Sequence, residues 1–354
     1  MKEGKMKKFI KDHFSLVFIS LILLLVLTMI ISVALGASDV SIKDGALILL
    51  KRLPIINNYI DDSYIKETTK IILLNIRMPR VLMASLCGSI LSVVGGTFQG
   101  IFRNPMADPY VLGLSSGAAL GASIAIILGL DKYILGMGLV SIIAFIFSLI
   151  TAFVVYNLSR VGRKIPTVNL LLSGIAVSFF MSSIMSLIMI LNRDKMEKIV
   201  FWTMGSLNGA SIKEVIMLFI VGLIGTAVII IYSKDLNIIT VGEEGAVNLG
   251  VNTERVKTIL IVCCALMVSF CVSFTGVIGF VGLIIPHIVR IISGPNHKTL
   301  TLLSAVLGGI FLVICDTLSR IVIPPTEIPV GVITALFGAP FFIYLLNKDK
   351  RKGL

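Results

Sequence analysis

Uncharged apolar runs long enough to cross roughly 30 Å of hydrocarbon recur along the whole chain, at 14–35, 81–102, 110–130, 133–158, 168–191, 215–233, 299–319 and 328–346. From Thr258 to Val289 lies a longer uncharged stretch, His287 counted as neutral, too long for one helix and short for two. Its interior carries Gly276, Gly279 and Gly282 at three-residue intervals and then Pro286, residues that interrupt a helix or admit a neighbouring backbone. The pattern predicts two short spans there, 258–275 and 279–294, and so an all-α membrane domain over residues 1–354 with ten crossings.

Composition agrees. The 354 residues are 56% hydrophobic and 14% charged, with a mean hydropathy of +1.03, whereas a soluble domain carries roughly 25% charged residues. A water-soluble globule and a single-span anchor are both excluded. The net charge of +12 would suit nucleic acid, but topology explains it better. An even number of crossings puts Lys2, Lys5, Lys7, Lys8 and Lys11 on the same side as Lys348, Lys350, Arg351 and Lys352. That side then holds 18 Lys and Arg against 8 acids, and the other 13 against 11, with the Arg160, Arg163, Lys164 loop adding to the tails. By the positive-inside rule both termini are cytoplasmic, in a multi-pass protein of the inner or plasma membrane, and no nucleic-acid partner is implied. The first apolar run, 22 residues long, exceeds a signal-peptide core of about 7 to 15. An uncleaved helix is therefore expected, although Ala34-Leu35-Gly36-Ala37 offers small residues to a peptidase. The external segment before Arg80 includes a short apolar piece, 46–50, expected to lie on the membrane surface.

The spans hold little chemistry. Cys87, Cys263, Cys264, Cys271 and Cys315 lack the spacing of a metal or redox site and read as small packing residues. His287, after a proline, reads as a structural hydrogen-bonding group, and no metal site is assigned. Gly96-Thr-Phe-Gln-Gly100, Gly117-Ala-Ala-Leu-Gly121 and Gly308-Gly309 suit close helix packing. Apart from Asp316, near an external helix end, ionisable groups within the spans are scarce, against the carboxylate relays of ion-coupled carriers. Nucleotide binding has no motif either, since the single Gly-Lys pair is Gly4-Lys5 and no G-x-x-x-x-G-K-[ST] occurs. Any energy must enter through another subunit.

Four stretches, in this order, resemble the permease subunits of the ABC importers that take up iron-siderophore complexes, haem and vitamin B12. They are Arg77-Met-Pro-Arg80 before the second span, Gln99-Gly-Ile-Phe-Arg-Asn-Pro-Met-Ala-Asp-Pro109 at its end, Gly279-Phe-Val-Gly-Leu-Ile-Ile-Pro-His287 in the eighth, and Glu327-Ile-Pro-Val-Gly331 leading into the tenth. The resemblance covers nearly the whole chain. It implies the type II importer permease fold, with helices 2–5 and 7–10 as an inverted repeat. It also implies a homodimer or a pair with a paralogous permease, two ATPase subunits that hold the ATP and Mg, and an external substrate-binding protein. No cofactor and no enzymatic activity are implied on this chain.

The resemblance also assigns residues. Arginines at the positions of Arg77, Arg80 and Arg320 face outward in the family and meet acidic groups on the binding protein, a role that suits the planar, permanently charged guanidinium. The alternative is that they anchor helix ends at the headgroups, and Asp316 lies four residues before Arg320, at pairing distance on a helix. The segment Gly242-Glu-Glu-Gly-Ala-Val-Asn-Leu-Gly250 resembles the family's ATPase-coupling helices, which points to Gly242, Glu243, Glu244, Ala246, Leu249 and Gly250. Glu243 and Glu244 also suit a helix start, and Gly245 departs from the helix-favouring residue expected there, so the first short helix should be looser. An inner gate maps to Asn104, Met106 and Thr167, whose local chemistry is also that of ordinary turns and helix starts.

The expected function is inward movement of a metal chelate by alternating access, a ferric siderophore first, haem or cobalamin as alternatives. A passive channel or membrane scaffold is a distant alternative, because no ring of charges or carbonyls is visible beyond the glycine run. A membrane-embedded enzyme lacks catalytic groups.

Overall fold

The computed structural model describes residues 2–36, 47, 51, 65–130, 132–134, 137–162 and 164–350. Of the features above, Ala37, Arg163, Arg351, Lys352 and all of 46–50 except Leu47 lie outside them. A basic helix, α1 (Lys2–Asp12), leads into α2 (Phe14–Ala34). The next helix, α3 (Glu67–Ile101), is 35 residues long and contains a π-helical turn at Ile72–Arg77. Then come α4 (Leu114–Ile127), a two-stranded hairpin of Tyr133–Ile134 with Met137–Gly138, α5 (Leu139–Ser159), α6 (Thr167–Leu191), α7 (Met196–Thr203) and α8 (Ile212–Ile231). Two short helices, α9 (Ser233–Val241) and α10 (Glu243–Asn248), precede α11 (Thr253–Thr275), α12 (Val281–Ser293), α13 (His297–Ile321) and α14 (Val330–Lys350).

Seven of these helices are long and apolar enough to cross a membrane, and α4, α12 and the apolar part of α14 are shorter. The differences from the hydropathy pattern have local causes. Charges at Lys70, Arg77 and Arg80 hid the first part of α3. The run 110–130 opens with a tight turn, Pro109–Leu112, and 133–158 opens with the hairpin. Starts follow capping chemistry. Ser211 and Glu214 form a reciprocal capping box on α8, Asn252 Oδ1 accepts from the Arg255 amide on α11, and Asn296 Oδ1 accepts from Lys298 and Thr299 on α13.

Helix α3 is the spine. Its apolar window is 83% buried, against 67% for α13, 61% for α11 and 11% for both α2 and α6. It packs most extensively against α13, at a crossing set by Gly88 and Gly308, where a Cβ on either glycine would run into the other's carbonyl. Small residues of this kind let backbones approach where lipid offers no hydrophobic force between helices.

Two breaks interrupt the helical pattern. The short helices α4 and α12 each follow a residue in the left-handed region, Gly113 at φ 72° and Phe280 at φ 69°. Backbone freed at such breaks must find partners inside the protein, and it does. The Tyr110 hydroxyl donates to the Ile278 carbonyl at 3.0 Å and accepts from the Ile278 amide at 3.2 Å, tying one break to the other. The Ser206 amide donates to Thr275 O at 2.8 Å and Val330 N to Gly205 O at 3.1 Å. In the first turn of α12, before Pro286, Gln99 Nε2 donates to the Leu283 carbonyl at 3.2 Å. The start of the glycine run thus marks a true helix break, closed by neighbouring helices, while Pro286 lies inside α12.

Overpacking of the crossing should cost about 2 kcal/mol or more. Gly308→Val is therefore expected to lower the temperature at which the buried cysteines become reactive to a fluorogenic maleimide in detergent. Gly245→Ala, where a Cβ meets open space, should leave it within error, and equal loss in both variants would contradict the crossing.

Candidate functional site

The candidate side chains gather at the two opposite ends of the bundle. At one end Arg77 and Arg80, on α3, meet Arg320, near the end of α13. All three are buried, at 6%, 5% and 4% exposure, which corrects the expectation that they stand at an exposed rim. Asp316, fully buried, holds two of them. Its Oδ1 is 2.8 Å from Arg80 Nε and its Oδ2 is 3.1 Å from Arg320 Nε. Arg80 Nη1 also donates to both oxygens of Glu327, at 3.0 and 2.8 Å. Donors of Arg320 and Arg77 reach the C-terminal end of α2. Arg320 donates to the Leu35 carbonyl at 2.8 Å and to Ser32 Oγ at 2.8 Å, while Arg77 donates to the carbonyls of Val33 and Ala34 at 3.1 and 2.9 Å.

The physical reason for burial is plain. A helix C-terminus leaves its last carbonyls without partners, and guanidinium groups satisfy them while Asp316 offsets the charge. The i, i+4 pairing of Asp316 with Arg320 was legible in the spacing. The parts played by Glu327 and by the α2 carbonyls were not, because they depend on which helices are neighbours.

The other end carries α9 and α10. Gly242 separates them in extended backbone, and Gly250 at φ 84° turns the chain towards α11. Gly245 falls in the second of the two short helices rather than the first, and its carbonyl accepts from Leu249 N at 3.1 Å. Ala246 is fully buried, so it fixes α10 to its own chain and presents nothing outward, a correction to its expected contact role. Leu249, Val247 and Val241 are exposed, Val241 at 90%, and Glu244 is exposed as well. Beside them lies a groove of about 1450 Å³ whose lining includes Arg103, Thr167, Gly242, Glu243, Leu249 and Lys257.

The expected gate residues divide. Thr167, the first residue of α6, lines that groove, as does Arg103. Asn104 is exposed and caps its own turn, Oδ1 accepting from Met106 N at 2.9 Å. Neither Asn104 nor Met106 lines the groove. Sequence reasoning missed Lys257 and Glu254, which pair across this surface. Their i, i+3 spacing at a helix start was the available signal.

A bundle of apolar helices with breaks at two of them, a charge cluster at one end and a groove with two short surface helices at the other defines a multi-pass membrane permease. The chain belongs to the FecCD transport family, the permeases of metal-chelate, haem and vitamin B12 ABC importers, whose model matches residues 24–348. It is thus an ABC transporter permease subunit and not itself catalytic, and membership implies an ATPase and a binding protein as partners. It is 41% identical over 290 residues to the cobalamin import system permease protein BtuC of Halobacterium salinarum, covering 82% of this chain and 77% of that one. Over 291 residues it is 35% identical to the hemin transport system permease protein HmuU of Yersinia pestis, covering 79% and 85%. Over 337 residues it is 32% identical to the Fe(3+)-citrate import system permease protein YfmD of Bacillus subtilis, covering 95% of each. A solved ABC transporter described as of the metal-chelate type, in an inward-facing conformation, superposes with a TM-score of 0.78 at 29% identity, over 94% of this chain and 99% of that one.

Removing the charge of Asp316 would leave two buried guanidinium groups without their shared partner. Asp316→Asn is expected to destabilise the protein by about 3 kcal/mol. Glu327→Gln should cost clearly less, because its side chain is 39% exposed and Arg80 keeps Asp316. Thermal unfolding of the two variants in detergent checks the order, and equal losses would contradict it.

Proposed function

We propose that this chain moves a metal chelate, a ferric siderophore first among the candidates, into the cytoplasm by alternating access. It works as one of two permease subunits, a homodimer or a pair with a paralogue, above two ATPases and beneath an external binding protein. The observation that carries this reading is the two-ended arrangement, charge cluster at one end and exposed short helices at the other. Residues 1–354 form one permease domain with ten crossings and both termini in the cytoplasm. The two shortest of the ten apolar helices read as spans support the inverted repeat of helices 2–5 and 7–10. Both α4 and α12 follow a left-handed residue, and they occupy the third and eighth places in the order of apolar helices. Short, interrupted segments at matching places in two halves are the usual mark of such a repeat.

In this reading Gly242, Glu243, Glu244, Leu249 and Gly250 engage the ATPase, with Ala246 as their internal support. Asn104, Met106 and Thr167 border the inner gate. Arg77, Arg80 and Arg320 form the docking cluster for the binding protein. Because they are buried, docking works by exchange: a carboxylate of the partner displaces the half-exposed Glu327 from Arg80.

Cobalamin is the second reading, favoured by the 41% identity to a permease of that printed function. Equilibrium binding of ferric hydroxamate, haemin and cyanocobalamin to the binding protein encoded with this chain separates the cargoes. Tight binding of the ferric hydroxamate alone is expected, and tight binding of cyanocobalamin alone would replace the first reading by the second. For docking, Arg80→Met is expected to weaken binding-protein association about tenfold, as for loss of one charge-assisted contact, with Glu327→Gln leaving it unchanged or tighter. Unchanged affinity in Arg80→Met, in a folded complex, would remove the docking assignment.

A further inference from the structure

Lys257 lies one turn into α11, at the membrane-surface end where a lysine ordinarily keeps its ammonium in water. Here its side chain is only 3% exposed. Nζ sits 2.7 Å from Glu254 Oε1 and 3.2 Å from Glu243 Oε2. The second oxygen of Glu254 is also engaged: Oε2 accepts from the Ile165 amide at 2.9 Å. Glu243 is the first residue of α10, and Ile165, itself buried, stands two residues before α6 begins at Thr167. One continuous line of charge-assisted bonds therefore joins three segments, α10, the start of α11 and the start of α6, with Lys257 at its centre.

We infer that Lys257 is a positioning residue that makes the surface helix α10 and the start of α6 move together. This rests on the coupling reading of residues 242–250 given above, and it adds the internal half of that device. The outer half is the exposed apolar set Val241, Val247 and Leu249. A buried ammonium needs both of its carboxylates, because losing one leaves its charge poorly compensated where water is scarce. A shift of α10 that carried Glu243 away would therefore draw Lys257 after it. Through Glu254 the same shift would pull on the Ile165 amide. An exposed lysine in the same place would let α10 slide without consequence, since solvent would replace each lost contact. The link also explains why the fixed points of α10 are internal: Ala246 packs inward and Glu243 pairs inward, while Leu249 faces out.

Hydrogen exchange by mass spectrometry on the complete transporter, permease with its ATPase subunits in nanodiscs, tests this without knowledge of the cargo. In the unaltered protein, trapping with ATP, Mg and vanadate is expected to change exchange in 242–250 and in 164–168 together. In Lys257→Met the first response should remain and the second fall by about tenfold, and Lys257→Arg should restore it. Glu254→Gln keeps the side-chain size, removes the charge, and should behave like Lys257→Met; it decides the matter alone if Lys257→Met fails to fold. A full response in 164–168 with Lys257 or Glu254 neutralised would overturn the inference while leaving the coupling reading intact. No response at 242–250 in the unaltered transporter would remove the coupling reading, and the inference with it.

Discussion

Hydrocarbon neither hydrogen-bonds a backbone group nor drives apolar helices together, and the structure is organised by that double constraint. Contact between helices must come from close approach, so the spine α3 meets α13 at Gly88 and Gly308, where no side chain intervenes. Breaks must be closed by the protein, so one tyrosine hydroxyl serves both amide and carbonyl of Ile278. Even the arginines at the α2 C-terminal end obey the rule. They are buried because the last carbonyls of α2 need donors, and Asp316 is buried with them because their charge needs a counterion.

Function follows from what the bundle does not do. It carries no chemistry of its own, and its family places ATP hydrolysis on a partner. In the reading proposed above, work enters as movement of the short surface helices and leaves as a change in which end of the bundle is open. A polar, strongly binding interior would hinder such a carrier, since cargo has to be released as readily as it is taken up. The helix α6 is consistent with a surface awaiting lipid or another subunit, with Phe179 and Leu191 each more than two-thirds exposed.

Much of this was legible in the chain. Length and apolarity marked the ten apolar helices, though not α7, and Gly276 and Gly279 marked the break between α11 and α12. What escaped depended on neighbours far apart in sequence. The first part of α3 looked polar because Lys70, Arg77 and Arg80 interrupt it, yet Arg77 and Arg80 are satisfied by α2, Asp316 and Glu327. The turn at Pro109–Leu112 looked like span because its residues are apolar. Burial of Ala246 could not be read from its type, whereas the spacing of Glu254 and Lys257 could have been. The three arginines do lie together, but buried rather than outward-facing, since hydropathy counts a charge without asking what lies opposite.

The central claim is that this subunit transports only as part of an ATP-driven machine. Accumulation of labelled chelate in proteoliposomes holding the permease and its ATPase, with the binding protein outside, measures it directly. Uptake is expected only with ATP and Mg on the ATPase side, and to vanish when the ATPase is left out. Equal accumulation without ATP, or by the permease alone, would contradict it.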